Sequence, residues 1–157
     1  MRKLTARVDS RLGFLGAVAG ILLGCSSDPM PPWNLASTGW SLSQHPAVWR
    51  PREGGPELTG ELLVAHREDG SRLVQFSKQG IPMIVARVDS GGWEIESPFE
   101  GSRHSGRGKP PTRSVWFQLH GVPPEPTVRP PWVIERSVEG TWILEDRSRG
   151  ERLEVVP

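Results

Sequence analysis

The stretch GELLVAHREDGSRLVQFSKQGIPMIVARVDSGGWEIE, residues 60–96, reads as four short β-type runs with a turn signal between each pair. Gly60–His66, Leu73–Phe76, Met83–Val88 and Trp93–Glu96 are rich in branched and aromatic residues, and all are too short for stable helices. Asp69-Gly70 is a hairpin dipeptide, Gln79-Gly80-Ile81-Pro82 turns the chain again, and Ser90-Gly91-Gly92 precedes the last run. The expectation is an antiparallel four-strand meander. Met83–Val88 is apolar at nearly every position and reads as covered on both faces. Trp93 and Ile95 alternate with Glu94 and Glu96, which predicts a wet face near Trp93 with both glutamates in solvent.

Towards the C-terminus, residues 97–111 carry Gly101, Gly106 and Gly108 among Arg103, His104, Arg107 and Lys109. The glycine spacing invites a phosphate-loop reading, but Arg107 and Gly108 stand where lysine and a hydroxyl residue are required. A solvated, mobile loop is expected, with lipid head groups as the best target for any role. Pro110-Pro111-Thr112 then leads into Val115, Trp116 and Leu119 at one-and-four spacing, with Gly121 as a stop, so a short helix is predicted near 112–120. Residues 122–131 form a proline-rich connection. Three further strands are expected at Trp132–Arg136, Thr141–Glu145 and Arg152–Val156. The predicted fold is mainly β: an antiparallel curled sheet or incomplete β-barrel around one short helix, occupying residues 57–157.

Towards the N-terminus, residues 33–56 contain Pro46, Pro51 and Gly54-Gly55 and read as irregular. Trp33, Trp40 and Trp49 within them are expected to plug one end of the sheet. Tyrosine is absent and all seven tryptophans lie beyond residue 32, so large aromatic burial rests on indoles, each needing a partner for its N–H. Residues 25–56 thus read as a tether and a lead-in rich in proline and tryptophan, ahead of the β domain.

Arg2, Lys3, Arg7 and Arg11 form a basic start, and Gly13–Leu23 is an apolar run shorter than the ~20 residues that span a bilayer. This is the pattern of a cleaved signal helix, residues 1–24. Its end, Leu22-Leu23-Gly24-Cys25, resembles the lipobox of bacterial lipoproteins. The resemblance implies cleavage before Cys25, a diacylglycerol on its thiol and an acyl group on its new amine. Two or more chains give stable anchoring where one is marginal. Residues 26–32, Ser-Ser-Asp-Pro-Met-Pro-Pro, are an extended tether that would hold the domain off the membrane. Ser26, in place of aspartate directly after the cysteine, implies the outer membrane, facing the periplasm; another bacterial membrane surface is the alternative.

Cys25 is the only cysteine, so the mature chain has no disulfide. The whole chain carries a formal +1, of which the signal segment holds a net +3, leaving the mature protein near −2 and giving nucleic-acid binding no footing. His45, His66, His104 and His120 are far apart and predict no metal site. Ser105 beside His104 has no evident acid, and no nucleophile elbow is present. No cofactor other than the lipid on Cys25, and no enzymatic activity, is expected.

Three later features are similar in combination to the LolA/LolB group of lipoprotein carriers: Gly60-x-Leu62-x-Val64 opening a meander, Leu119-x-Gly121-x-Pro123 after a helix, and Gly140-x-Trp142-Ile143. Gln118 takes the place of that group's usual aromatic. The resemblance implies an apolar cavity under a helical lid that receives acyl chains of other lipoproteins from a soluble periplasmic carrier and passes them to the membrane, as the anchored acceptor LolB does. Val64, Phe76, Val85, Trp93, Trp116 and Trp142 are the residues it assigns to that cavity. The competing expectations are a non-catalytic lipoprotein that scaffolds an envelope partner and, third, a lipid-processing enzyme. A ligand-sized void under the helix favours transport, and a filled core with an exposed apolar patch favours the scaffold.

Overall fold

A computed structural model of the protein describes residues 29–121 and 128–156; the signal segment, Cys25 and the first residues of the tether lie outside the described residues. The chain forms one antiparallel sheet of nine strands: β1 Ser41–Arg50, β2 Leu58–His66, β3 Arg72–Lys78, β4 Ile81–Val88, β5 Gly92–Ser97, β6 Ser102–Arg107, β7 Trp132–Arg136, β8 Trp142–Asp146 and β9 Glu151–Val155. Their order across the sheet is β6-β5-β4-β3-β2-β1-β9-β8-β7. Each strand thus pairs with its sequence neighbour except at the β1–β9 join and across the β6–β7 connection.

The meander over residues 60–96 is as expected. Its β3–β4 turn is of the doubly left-handed hairpin type, with φ of 52° at Gln79 and 78° at Gly80, which matches the right-handed twist of the flanking strands. The three C-terminal strands lie within a residue of their expected positions.

Two strands depart from the sequence reading. Residues 41–50, read as irregular, form β1, which lies between β2 and β9. Pro46 is tolerated there because its carbonyl accepts from the Val156 amide at 3.0 Å. A residue's carbonyl and amide leave a strand on the same side, so the missing N–H also faces β9, just beyond the Ala47–Val155 pair where that ladder ends. Residues 102–107, read as part of a mobile loop, form the edge strand β6 against β5. Gly106 there lies opposite Trp93, and a Cβ on it would sit 2.7 Å from the indole; the bare backbone lets the ring lie across it. Arg103, His104 and Arg107 on this edge discourage pairing with another sheet.

The expected helix near 112–120 is only a 3-10 turn, Val115–Phe117. Val115, Trp116, Phe117 and Leu119 are all buried, so the segment has no polar face to lay on solvent. Ser114 is extended at φ −100°, ψ 124° and caps nothing, and a helix of two turns has too few hydrogen bonds to offset its nucleation cost.

The sheet curls around this segment without closing. Ile95 on β5 and Glu151 on β9 line one cleft together with Trp116, although four strands separate β5 from β9. Across a flat sheet they would be about 24 Å apart. The concave core gathers Ala47, Leu62, Val64, Val74, Phe76, Ala86, Leu144, Leu153 and Val155 around Trp116 and its neighbours. On the convex side Trp33, Leu35 and Trp40 cover Leu63, Ala65, Leu73 and Val85, which is why β4 is apolar on both faces. Trp33 and Trp40 therefore lie across the outer face, with ring centroids 5.2 Å apart, whereas Trp49 belongs to the concave core.

Candidate functional site

The six residues assigned to an apolar cavity do not share one space. Val64, Phe76 and Trp116 meet in the concave core. Trp49 joins them, its ring 5.0 Å from Trp116 and 5.8 Å from Phe76, while Phe76 and Trp116 are 5.9 Å apart. Trp93 packs edge-on against Phe117 at 5.6 Å. Trp142 is at the partly buried rim of the same core, with the Arg136 guanidinium 5.2 Å from its ring. Val85 points to the opposite, convex side beneath the Trp33–Trp40 layer. Cys25 lies outside the described residues.

Glu94 is not in solvent: only 1% of it is exposed. Strand alternation does put it on the face opposite Trp93 and Ile95, but that face is covered by the N-terminal segment. One carboxylate oxygen lies 3.2 Å from the Arg87 guanidinium. The other accepts from Arg103 Nε at 2.8 Å and from the Met30 backbone amide at 3.1 Å. Arg87 in turn donates to the Met30 carbonyl at 3.3 Å and pairs with Glu96. Adjacent strands supply these side chains in register: Arg87 faces Glu94, and Arg103 faces Glu96. Both backbone groups of Met30 are thus held by an ion-pair cluster on β4, β5 and β6. Alternation alone could not reveal this contact, because its partner is backbone far away in sequence.

A second polar construction lies on the concave side. Gln118, 6% exposed, donates from its amide nitrogen to the Thr112 carbonyl at 3.0 Å and accepts from the Arg129 amide at 3.3 Å. Trp132 Nε1 also donates to the Thr112 carbonyl, at 2.8 Å. These bonds tie together the walls of a cavity of about 430 Å³, lined by Arg72, Lys109, Pro110, Thr112, Phe117, Gln118, His120 and Arg129. Gln118 is the side chain that ties these walls together, a role invisible without the fold.

A third feature is the Asp146–Glu151 pair, opposed across the β8–β9 hairpin. Asp146 accepts from the Ser148 amide and hydroxyl, at 2.9 and 2.6 Å, and so closes its turn. Burial pushes the Glu151 carboxyl above its ordinary range; the Trp49 indole N–H, 3.3 Å away, and the Arg149 charge oppose the shift, and Asp146 reinforces it. Trp49 thus finds the partner its N–H requires. Ser105 and His104 are consecutive on β6, so their side chains leave on opposite faces. Among the described residues no group of three or more His, Cys, Asp or Glu side chains is arranged to hold a metal ion, and no helix is long and apolar enough to cross a membrane.

No known family model matches the chain, and no curated protein shows significant similarity to it.

Proposed function

We propose that this protein is a lipid-anchored, non-catalytic binding module of the bacterial envelope, displayed close to the membrane by its own N-terminal segment. The observation that carries the reading is the clamp on Met30, whose amide and carbonyl are held by Glu94 and Arg87. Met30 is five residues after Cys25, so an acylated Cys25 is within about 18 Å of the clamp. A free tether of that length would let the domain tumble; a clamped one sets which end of the sheet faces the bilayer.

A scaffold or binding role is favoured over acyl carriage by the contents of the concave face. Trp116, Phe117 and Leu119 occupy the place where an acyl chain would enter, and Trp49 and Phe76 pack against Trp116. Aromatic packing of this kind is a core. The direct test is metabolic labelling with radioactive palmitate in a host with two membranes. The wild-type chain should incorporate label and sediment with membranes, and Cys25→Ser should do neither. An unlabelled, fully soluble wild-type protein would refute the anchored reading.

A further inference from the structure

The geometry points to a sugar-binding site on the convex side of the sheet, where the Trp33 and Trp40 rings meet Asn34, Arg67 and Asp89. With Ser37 and Ser71 these residues line a cleft of about 210 Å³, the size of one sugar ring. Both indoles cover Leu63, Ala65, Leu73 and Val85 with their inner sides, yet both are only partly buried. Trp49 and Trp132 bond their indole N–H groups inside the protein, to Glu151 and Thr112. Those of Trp33 and Trp40 find no partner among the described residues and are not sealed from solvent, so they stay open to a ligand.

Not every polar group in the cleft is available. Asp89 uses one carboxylate oxygen on the Gly91 and Gly92 amides, at 2.7 and 3.0 Å, and the other is free. The Asn34 side-chain oxygen accepts from the Ala36 amide at 3.1 Å, which leaves its NH2 group as a donor. Arg67 is already engaged, 5.4 Å from the Trp40 ring and 4.0 Å from Asp69, so it is a wall, and the Trp33 ring is the stacking face. A flat apolar ring beside a free acceptor and a free amide donor suits a pyranose. Its C–H face lies on the negative face of the indole while its hydroxyls donate and accept. Other classes fit less well. The two rings are tilted by 35° with centroids 5.2 Å apart and leave no parallel slot for an aromatic ligand; Asp89 repels a phosphate, and a cation would meet the Arg67 guanidinium.

The cleft is set before a ligand arrives. Three residues before Trp33, Met30 is held through both of its backbone groups by Glu94 and Arg87. At the other end Trp40 leads directly into β1 at Ser41. Between them a turn closes on Asn34, whose carbonyl accepts from the Ser37 amide at 3.1 Å and from its hydroxyl at 2.7 Å, and Leu35 packs onto the sheet. Such bracing lowers the ordering cost of binding. Arg67 and Ser71 belong to the β2–β3 turn and Asp89 to the β4–β5 turn, so the site is at the strand ends nearest the clamp. Sugar recognition goes beyond the anchoring proposed above and does not rest on it.

The test uses full-length protein in micelles of a polyoxyethylene detergent, which has no sugar head group. Glucose, galactose, N-acetylglucosamine and chitotriose are titrated in turn, and saturation transfer to their ring protons in nuclear magnetic resonance reads binding. Sorbitol, which carries hydroxyls without a ring, is the control. At ordinary ligand efficiency a single ring should bind with a dissociation constant of about 1–5 mM, and at least one of the cyclic sugars is expected to saturate there. Trp33→Leu keeps an apolar cover for the sheet but removes the flat face, and should weaken binding about fivefold or more. Asp89→Asn keeps an acceptor for the Gly91 and Gly92 amides but removes the free charge, and should also weaken binding about fivefold. An unaltered far-UV circular dichroism spectrum confirms the fold of each variant. Chitotriose binding about tenfold tighter than N-acetylglucosamine identifies a glycan chain as the source of the ring, and equal affinities identify a free or terminal sugar. No saturable transfer to any cyclic sugar up to about 50 mM overturns the proposal, as does saturation that sorbitol reproduces or that either folded variant leaves unchanged. A chain that binds sugar but takes up no palmitate refutes the anchored reading alone.

Discussion

Removing the Trp116 indole tests whether the concave face is a core or a ligand site. Trp116 is 3% exposed and makes ring contacts with Trp49 and Phe76 at 5.0 and 5.9 Å. Truncating a buried aromatic to alanine costs about 3–5 kcal/mol, and two ring pairs of this geometry place the expected loss for Trp116→Ala near the middle, about 4 kcal/mol. A domain of this size has only about 5–15 kcal/mol in total. At a urea slope of about 2 kcal/mol per molar, the unfolding midpoint should fall by about 2 M. The assay is urea unfolding of the chain from Ser26 onward, followed by far-UV circular dichroism, because tryptophan fluorescence would itself change in the variant. A parallel titration of the wild type with a fluorescent fatty acyl probe should show no saturable binding. A loss below about 1 kcal/mol, together with saturable acyl binding by the wild type, would refute the packed-core argument and restore the carrier reading.

Three other outcomes follow from the same geometry. Glu94→Gln keeps the side-chain shape but removes the charge between Arg87 and Arg103; because Arg103 is partly open to water, the cost should be about 2–3 kcal/mol, below that of a fully buried broken pair, and hydrogen exchange at the Met30 amide should accelerate. Unchanged exchange would mean the segment is held by other contacts. Glu151 has a raised carboxyl pKa in the folded state, so the fold binds its proton more tightly than the unfolded chain does; stability from this group is present at low pH and is lost as pH rises from the ordinary carboxylate value through the raised one. Glu151→Gln, which keeps an acceptor for Trp49, should therefore flatten the stability profile over that window and be more stable than the wild type at pH 7; an identical profile would show the group is not shifted. Gly60→Ala should cost about 2–3 kcal/mol, since its Cβ would lie 2.2 Å from the Ser77 carbonyl oxygen, whereas Gly106→Ala on the edge strand meets only the Trp93 ring and should cost about 1 kcal/mol; equal midpoint shifts in urea would contradict that distinction.

Legibility followed the range of the interactions. The β2–β5 meander and the β7–β9 strands could be read because alternation, turn dipeptides and short spacing act between residues close in sequence. β1 was obscured by Pro46, whose tolerance depends on β9 ending one pair away, more than a hundred residues later in the chain. β6 was obscured by Gly106 within it and Gly101 and Gly108 beside it, although Gly106 is what makes room for Trp93 across the ladder. The buried state of Glu94 and the joining of Thr112 to Arg129 through Gln118 had no local signal at all. Asp146 and Glu151 look like ordinary hairpin-end acids in the sequence, and only the Trp49 indole and the curl of the sheet bury the second of them.

By itself, the sequence determined that the chain is an antiparallel β structure and that its single cysteine leaves it no internal disulfide. Those properties rest on composition and on contacts between near neighbours. Which strands lie side by side across the β1–β9 join, which face the N-terminal segment covers, and which basic side chains share a cavity were decided only by the tertiary structure. The physical reason is that burial and electrostatic environment depend on what is brought close in space, and a curled sheet brings β9 to β1, Met30 to Glu94 and Arg72 to Arg129.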